Sequence, residues 1–307
     1  MTPPNRRLLF LLPRGARALL AALLVGSSTL VHVPVLLVVA ITKALLPFVA
    51  LRPSLDRALM AIAESWIGVN SWLIDAFTRT RFVVEGMESL RYGGHYLVLA
   101  NHQSWVDIPV LQKVFNRRIP LLRFFLKSQL FWVPLLGLAW WALDFPFMKR
   151  YPKETLARRP ELAGRDLAVT RRACEKFRRI PVSVMNFVEG TRFTPGKHAG
   201  QGAPFRHLLK PKAGGVAFVI GAMGDAIESV LDVTVSYDIG KPGLADLFSD
   251  RVGQVRVQVR ERAIPDGFAG GDYEGDAAFR ARFQAWVNGL WVDKDALLDE
   301  WRRPPGD

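Results

Sequence analysis

His102 and Asp107 stand five positions apart at the end of an apolar run, and they are the pair in this chain best suited to chemistry. Residues 96–100, Tyr-Leu-Val-Leu-Ala, are short, β-prone and uncharged, which predicts a buried strand, and the Asn, Ser and Asp that come next are turn and helix-cap types. His102 is therefore expected at the carboxyl end of a strand, the edge where open α/β sheets place their ligands. Along an unbroken helix five residues would set the two side chains about 140° apart. They meet only where the backbone bends, as in a strand-to-helix turn. A carboxylate on one imidazole nitrogen would then fix the tautomer and leave the other nitrogen free as a general base. No protein nucleophile is evident beside them, so the group deprotonated would belong to a substrate. The plainer alternative is that His102 caps the next helix while Asp107 is a solvated first-turn residue.

Cations supply the second set of chemical groups. Phe187-Val188-Glu189-Gly190-Thr191-Arg192 again reads as a strand running into a turn, with Glu189 and Arg192 projecting where the backbone bends. An arginine offers a planar fork for phosphate oxygens, and Gly190 and Thr191 allow close backbone approach. Lys149 and Arg150 come directly after a short apolar strand, and Lys210 and Lys212 flank Pro211 before a helix beginning near residue 215. Between residues 113 and 179 there are 16 Lys or Arg against 5 Asp or Glu, so much of the net charge of +13 is concentrated there. Something anionic is expected to face it: nucleic acid, anionic lipid or a phosphorylated substrate. No recognised nucleic-acid motif is present. The five histidines show no ligand spacing with Cys or carboxylates, and neither a nucleophile elbow nor a P-loop occurs.

The elements that must position these groups begin at a membrane. Half of the 307 residues are hydrophobic and mean hydropathy is positive, which favours a membrane-associated class over a soluble enzyme. After Arg6, Arg7, Arg14 and Arg17 no charge appears in the 25 residues 18–42. About 20 residues suffice to span a bilayer, and the stretch is too long for a cleaved signal peptide. Pro34 at its middle implies a kink or a hairpin that dips in and returns. Residues 54–77 show helical periodicity and read either as an amphipathic helix lying at the interface or as a core-facing helix. Residues 128–143, sixteen without charge, are too short to span; they read as a segment dipping into one leaflet or walling a greasy tunnel, or as a plain core helix.

A globular domain is expected from residue 79 to 307, behind an anchor and interfacial helix in 1–78. Strands are predicted at 81–85, 96–100, 180–188, 231–237 and 255–259. Helices are predicted at 107–115, 162–179, 215–223 and 276–301, the last with no chemical pattern in its acidic and aromatic residues. Alternating strands and helices give an α/β fold, a mixed, mostly parallel sheet flanked by helices. The single Cys174 permits no internal disulfide and fits a reducing, cytosol-facing location.

Four blocks together carry a family resemblance. Asn101-His102-Gln103-Ser104-Trp105-Val106-Asp107 resembles the N-H-x4-D block of the glycerolipid (1-acylglycerol-3-phosphate) acyltransferases, and residues 187–192 resemble their F-P-E-G-T-R block, with Val188 where proline is usual. Lys149-Arg150 and Lys210-Pro211-Lys212 stand where the family's second and fourth blocks carry cations. Trp105, the Phe147-Met148-Lys149-Arg150 run and the long segment before Pro211 are most similar to the branch of proteobacterial inner-membrane members and lysocardiolipin-type enzymes. The resemblance implies transfer of a fatty acyl group from acyl-CoA or acyl carrier protein to the hydroxyl of lysophosphatidic acid, giving phosphatidic acid. His102 and Asp107 would be catalytic, with Lys149, Arg150, Glu189, Gly190, Thr191, Arg192, Lys210 and Lys212 binding substrate. No cofactor is expected, and the site would face the cytoplasm at the inner membrane. A different lysophospholipid acceptor, lysophosphatidylglycerol or lysocardiolipin, is the nearest alternative; a non-catalytic binder of anionic lipid is the more distant one.

Overall fold

The structure is a computed structural model that describes residues 10–46, 48–149, 158–159, 165–178 and 180–303. The chain opens with two long helices, α1 (Arg14–Leu45) and α2 (Arg52–Phe77). The contacts Lys43 to Asp56, His32 to Ser65 and Thr29 to Trp66 run in opposite chain directions, so the two helices form an antiparallel hairpin. Pro34 lies inside α1 without dividing it. The chain therefore does not turn back at Pro34; the return falls between α1 and α2 instead. Residues 54–77 belong to a core-facing helix: Leu59, Ala63, Ile67 and Ile74 are buried.

Next come β1 (Arg81–Glu85), β2 (His95–Ala100), α3 (Asp107–Phe115), β3 (Leu122–Phe124), β4 (Leu126–Lys127), α4 (Leu136–Ala142) and β5 (Phe147–Met148). The uncharged stretch 128–143 is therefore not one helix. A 3-10 turn at Ser128–Trp132 and α4 are separated at Pro134 and Leu135, the latter with φ of 64°. Proline denies the helix a backbone donor there. The remaining elements are α5 (Arg165–Phe177), β6 (Val182–Phe187), α6 (Pro195–Gln201), α7 (Ala213–Met223), β7 (Ser229–Tyr237), α8 (Leu244–Phe248), β8 (Gln254–Arg262) and α9 (Ala277–Arg302). The expected helix at 162–179 is described from Arg165 onward. Its Cys174 is buried, and burial pushes the thiol up to about 12.

The described strands form a six-stranded sheet in the order β1-β8-β7-β2-β6-β3, with β4 and β5 paired separately. β2 lies between β6 and β7 and runs parallel to both; β8 is antiparallel to β7. Along β2 the side chains alternate between two cores. Tyr96, Val98 and Ala100 join α1–α4 on one face, while Leu97 and Leu99 join α5, α7 and α9 on the other. A strand covered on both faces must be apolar throughout, which is why residues 96–100 carry no polar side chain that faces solvent. β2, β6 and β7 all end at one edge of the sheet, so the turns that leave these three strands are brought together.

Candidate active site

The first chain to leave that edge is Asn101-His102, after β2. The Asn101 side chain acts as one more rung of the sheet: its Nδ2 donates to Val235 O at 2.9 Å and its Oδ1 accepts from Val235 N at 2.8 Å. The backbone then bends, and His102 Nδ1 lies 2.7 Å from Asp107 Oδ2. Asp107 opens α3 and is fully buried. Its Oδ2 also accepts from Gln103 N at 2.7 Å and Ser104 N at 2.9 Å, and its Oδ1 accepts from the Tyr237 hydroxyl at 2.6 Å. Four donors on one buried carboxylate satisfy it as an acceptor. Nδ1 then carries the proton, and Nε2 is hydrogen-bonded by no group among the described residues. The ring stacks on Phe187 at 3.9 Å between centroids, which holds its plane. Tyr237 must donate, and burial, reinforced by Asp107, pushes its phenol well above the usual range.

The second chain, after β6, grips the backbone of His102 from both sides. Glu189 Oε1 accepts from His102 N at 3.3 Å, and His102 O accepts from Phe193 N at 2.8 Å. The turn between is closed by Gly190 N donating to Phe187 O at 2.8 Å, with Gly190 at φ +69°, a conformation glycine reaches without a Cβ penalty. At Val188, where the resembling block has proline, the carbonyl accepts from Lys212 N at 2.9 Å and ties the turn to the segment before α7.

Glu189, expected among the substrate-binding groups, is fully buried. Its carboxyl is pushed up to about 8, chiefly by burial and against the pull of the backbone donor at His102. Its Oε2 has no hydrogen-bond partner among the described residues. Arg192 does not pair with Glu189; its guanidinium lies over the exposed Trp105 ring, 4.0 Å from the centroid. Thr191 Oγ1 accepts from Lys197 Nζ at 2.6 Å. Lys212 stands beside the same turn, its Cδ 3.4 Å from the position a Gly190 Cβ would take.

The other expected cations are placed differently. Lys149 comes after β5, in the small separate sheet, and is exposed. Arg150 lies outside the described residues. Lys210 lines a groove of about 700 Å3 between residues 204–211 and α9, which His102, Asp107 and Arg192 do not border. From Phe187 an aromatic row leads away from the imidazole, with Phe124 6.1 Å beyond it and Phe145 a further 6.3 Å on. Among the described residues no three of His, Cys, Asp and Glu converge as metal ligands.

Several residues of the site carry no sequence signal that pattern reading could use. Tyr237 ends a strand as many tyrosines do, and its contact with Asp107 spans 130 positions. Asn101 is visible in the sequence only as a member of its block, its pairing with Val235 hidden. The acidic residues of α9 prove to be ties. Asp295 accepts from the backbone of Arg206 and His207, and Asp299 from His207 Nε2, while Gln103 Nε2 reaches His207 O at 3.4 Å.

The class defined by this fold and geometry is an α/β protein with an imidazole–carboxylate pair where its central parallel strands end. The chain belongs to the family described as Acyltransferase, which matches residues 81–238, just over half of its length. Human 1-acyl-sn-glycerol-3-phosphate acyltransferase gamma is 26% identical over 264 residues, covering 80% of this chain and 61% of the human protein. Mouse 1-acyl-sn-glycerol-3-phosphate acyltransferase gamma is 25% identical over 226 residues, covering 68% of this chain and 54% of the mouse protein. The probable 1-acyl-sn-glycerol-3-phosphate acyltransferase 5 of Arabidopsis thaliana is 25% identical over 253 residues, covering 77% and 61%. The matches thus span between about half and three fifths of these relatives. In fold, the chain is similar to the crystal structure of the 1-acyl-sn-glycerophosphate (LPA) acyltransferase PlsC from Thermotoga maritima. The TM-score is 0.54 at 19% identity, over 92% of this chain and 98% of that one.

Proposed function

We propose that this protein transfers a fatty acyl group from a thioester donor, acyl-CoA or acyl carrier protein, to the free hydroxyl of lysophosphatidic acid. The observation that carries this reading is the imidazole itself, fixed by Asp107 on Nδ1, flattened on Phe187 and free at Nε2. Nε2 takes the hydroxyl proton as the oxygen attacks the thioester carbonyl, and Asp107 stabilises the imidazolium that results. Collapse of the tetrahedral adduct expels the thiolate, which receives the proton back from His102. Arg192 is held by a ring face, with its N–H groups directed to no acceptor among the described residues, and so it is free to bind the acceptor phosphate bidentately, with Lys212 beside it. Phe187, half-buried against the imidazole, offers an apolar contact for the acyl chain beside His102. The names of the relatives support the acceptor. Lysophosphatidylglycerol or lysocardiolipin is the second reading, carried by Trp105 and the residues around Lys149.

The protein is read as a cell inner membrane protein with its site facing the cytoplasm, where thioester donors are made. α1 has the length and composition of a membrane-crossing helix. It also packs along α2, α4 and α8, and Leu19, Leu23, Leu30, Val31, Val38 and Ile41 are exposed on its outer side. An apolar face turned outward from a packed hairpin supports immersion of the hairpin in the interface.

The test is a vesicle assay offering labelled acyl-CoA and acyl carrier protein to a panel of lysophospholipids. His102→Ala is expected to lower kcat by about 10²- to 10⁴-fold, the usual contribution of a general base. Activity within a few-fold of wild type would sink the assignment. In the same assay Arg192→Lys, which keeps the charge and loses the fork, is expected to raise KM for the acceptor more than KM for the donor. Loss of donor affinity alone would move Arg192 to the donor's phosphate.

A further inference from the structure

α9 lies beyond the residues matched by the family, yet it sends a lysine beneath the strands that deliver the site. Lys294 is 1% exposed and forms an ion pair with Asp232 of β7, itself 2% exposed. Its ammonium also donates to Val233 O at 2.7 Å and to Leu99 O of β2 at 3.3 Å. In the sheet register Leu99 faces Asp232 and Ala100 faces Val233, so the ammonium straddles the last paired rungs of β2 and β7. Directly past those rungs β2 releases Asn101 and His102. β7 runs on to Tyr237, whose hydroxyl meets Asp107. The approach of the imidazole to its carboxylate therefore depends on how these two strand ends are held. Asn101 holds them from within the sheet and Lys294 from the face covered by α9.

A buried ion pair is a poor stabiliser, because removing two charges from water offsets most of their attraction, and apolar residues of similar volume often do as well. Stability alone does not account for it. We propose that Lys294 is a positioning residue for acyl transfer, its ammonium and Asp232 locking the ends of β2 and β7 so that His102, Asp107 and Tyr237 meet in one geometry. The inference rests on the acyl-transfer reading above. The charged groups around it are Asp232 and Arg262, which is 3.9 Å from Asp232, with Arg260 and Glu189 acting through space; the Trp291 ring is 5.3 Å away. Burial pulls the ammonium's pKa down and Asp232 opposes it. Loss of the ammonium would also remove a cation facing Glu189, the group that accepts from His102 N.

The experiment compares the full-length wild type with Lys294→Met and with the double variant Asp232→Leu/Lys294→Met, which removes both charges together. Thermal unfolding, kcat, both KM values and the downfield proton resonance of His102 Nδ1–H are measured, the resonance being identified by its loss in His102→Ala. The expected result is a double variant that unfolds within a few degrees of wild type. Its kcat should fall about tenfold or more, with both KM values within about twofold and the resonance shifted or lost. A double variant that folds with wild-type kcat and an unmoved resonance overturns the proposal. Should Lys294→Met alone fail to fold, the double variant still decides. If wild type transfers no acyl group to any lysophospholipid, the acyl-transfer reading fails by itself, while the resonance still reports whether Lys294 positions His102.

Discussion

Glu189 shows how far a residue's place can depart from its apparent role. A glutamate in a turn between a strand and a phosphate-suited arginine invites a reading as a ligand contact, but its carboxyl is turned inward onto the amide of His102. Burial raises its pKa to about 8, above the ordinary carboxylate value. The native state therefore binds a proton that the unfolded chain releases between roughly pH 4.5 and 8, so this group's contribution is fully present at low pH and is lost as pH rises through about 8. Wild type is accordingly expected to lose unfolding free energy between pH 5 and 8 more steeply than Glu189→Gln. Chemical denaturation across that range checks it, and parallel pH profiles for the two proteins would contradict it. Trp105 makes a related point: an exposed indole on the turn after His102 serves as the seat of the Arg192 guanidinium.

At the scale of elements, three parallel strands are what make a site of residues far apart in the chain. β2 contributes His102, β6 the turn that clasps it, and β7 the hydroxyl on Asp107, and their carboxyl ends coincide because they are neighbours in one sheet. The seam between β2 and β7 is the sensitive one. Asn101→Ala removes two hydrogen bonds to Val235 and leaves a buried amide and carbonyl short of partners. At roughly 1–3 kcal/mol for each buried group left unpaired, a loss of about 2–6 kcal/mol is expected. Because the seam also places His102, kcat should fall with it while KM for the acceptor changes little. Thermal unfolding with steady-state kinetics tests both, and wild-type kcat in a destabilised variant would separate the seam from catalysis.

On the scale of the molecule, the helical hairpin and the sheet are not two independent parts. α2 packs on α3, which begins at Asp107, so the second helix of the hairpin also backs the site. The orientation of that assembly can be read with a thiol, although not with the native one. Cys174 is enclosed against Phe177 and the α7 core and is held protonated, which leaves it inert to reagents. Glu274→Cys places a single reactive thiol on an exposed position of the domain. With the site facing the cytoplasm, this variant should resist a membrane-impermeant maleimide in intact cells and react after lysis. Labelling of intact cells would reverse the proposed orientation.

What the residues determined by themselves is local. The apolar run 96–100 and the cap residues behind it encode a strand, a bend and a helix start, and this is enough to bring His102 onto Asp107. The same logic locates β1, β6, β7, β8 and α9 to within a few residues, because β-prone runs, helical stretches and turn residues are set by neighbours in the chain. What the tertiary structure alone decided are contacts with no period. These are Tyr237 on Asp107, Asn101 on Val235, Lys294 under two strand ends and Arg192 over Trp105, along with the continuity of α1 across Pro34. Each joins side chains on separate elements whose approach is set by sheet order and by which face a helix covers. The Leu99–Lys294 contact, 195 positions apart, exists only because α9 packs on the face opposite the hairpin.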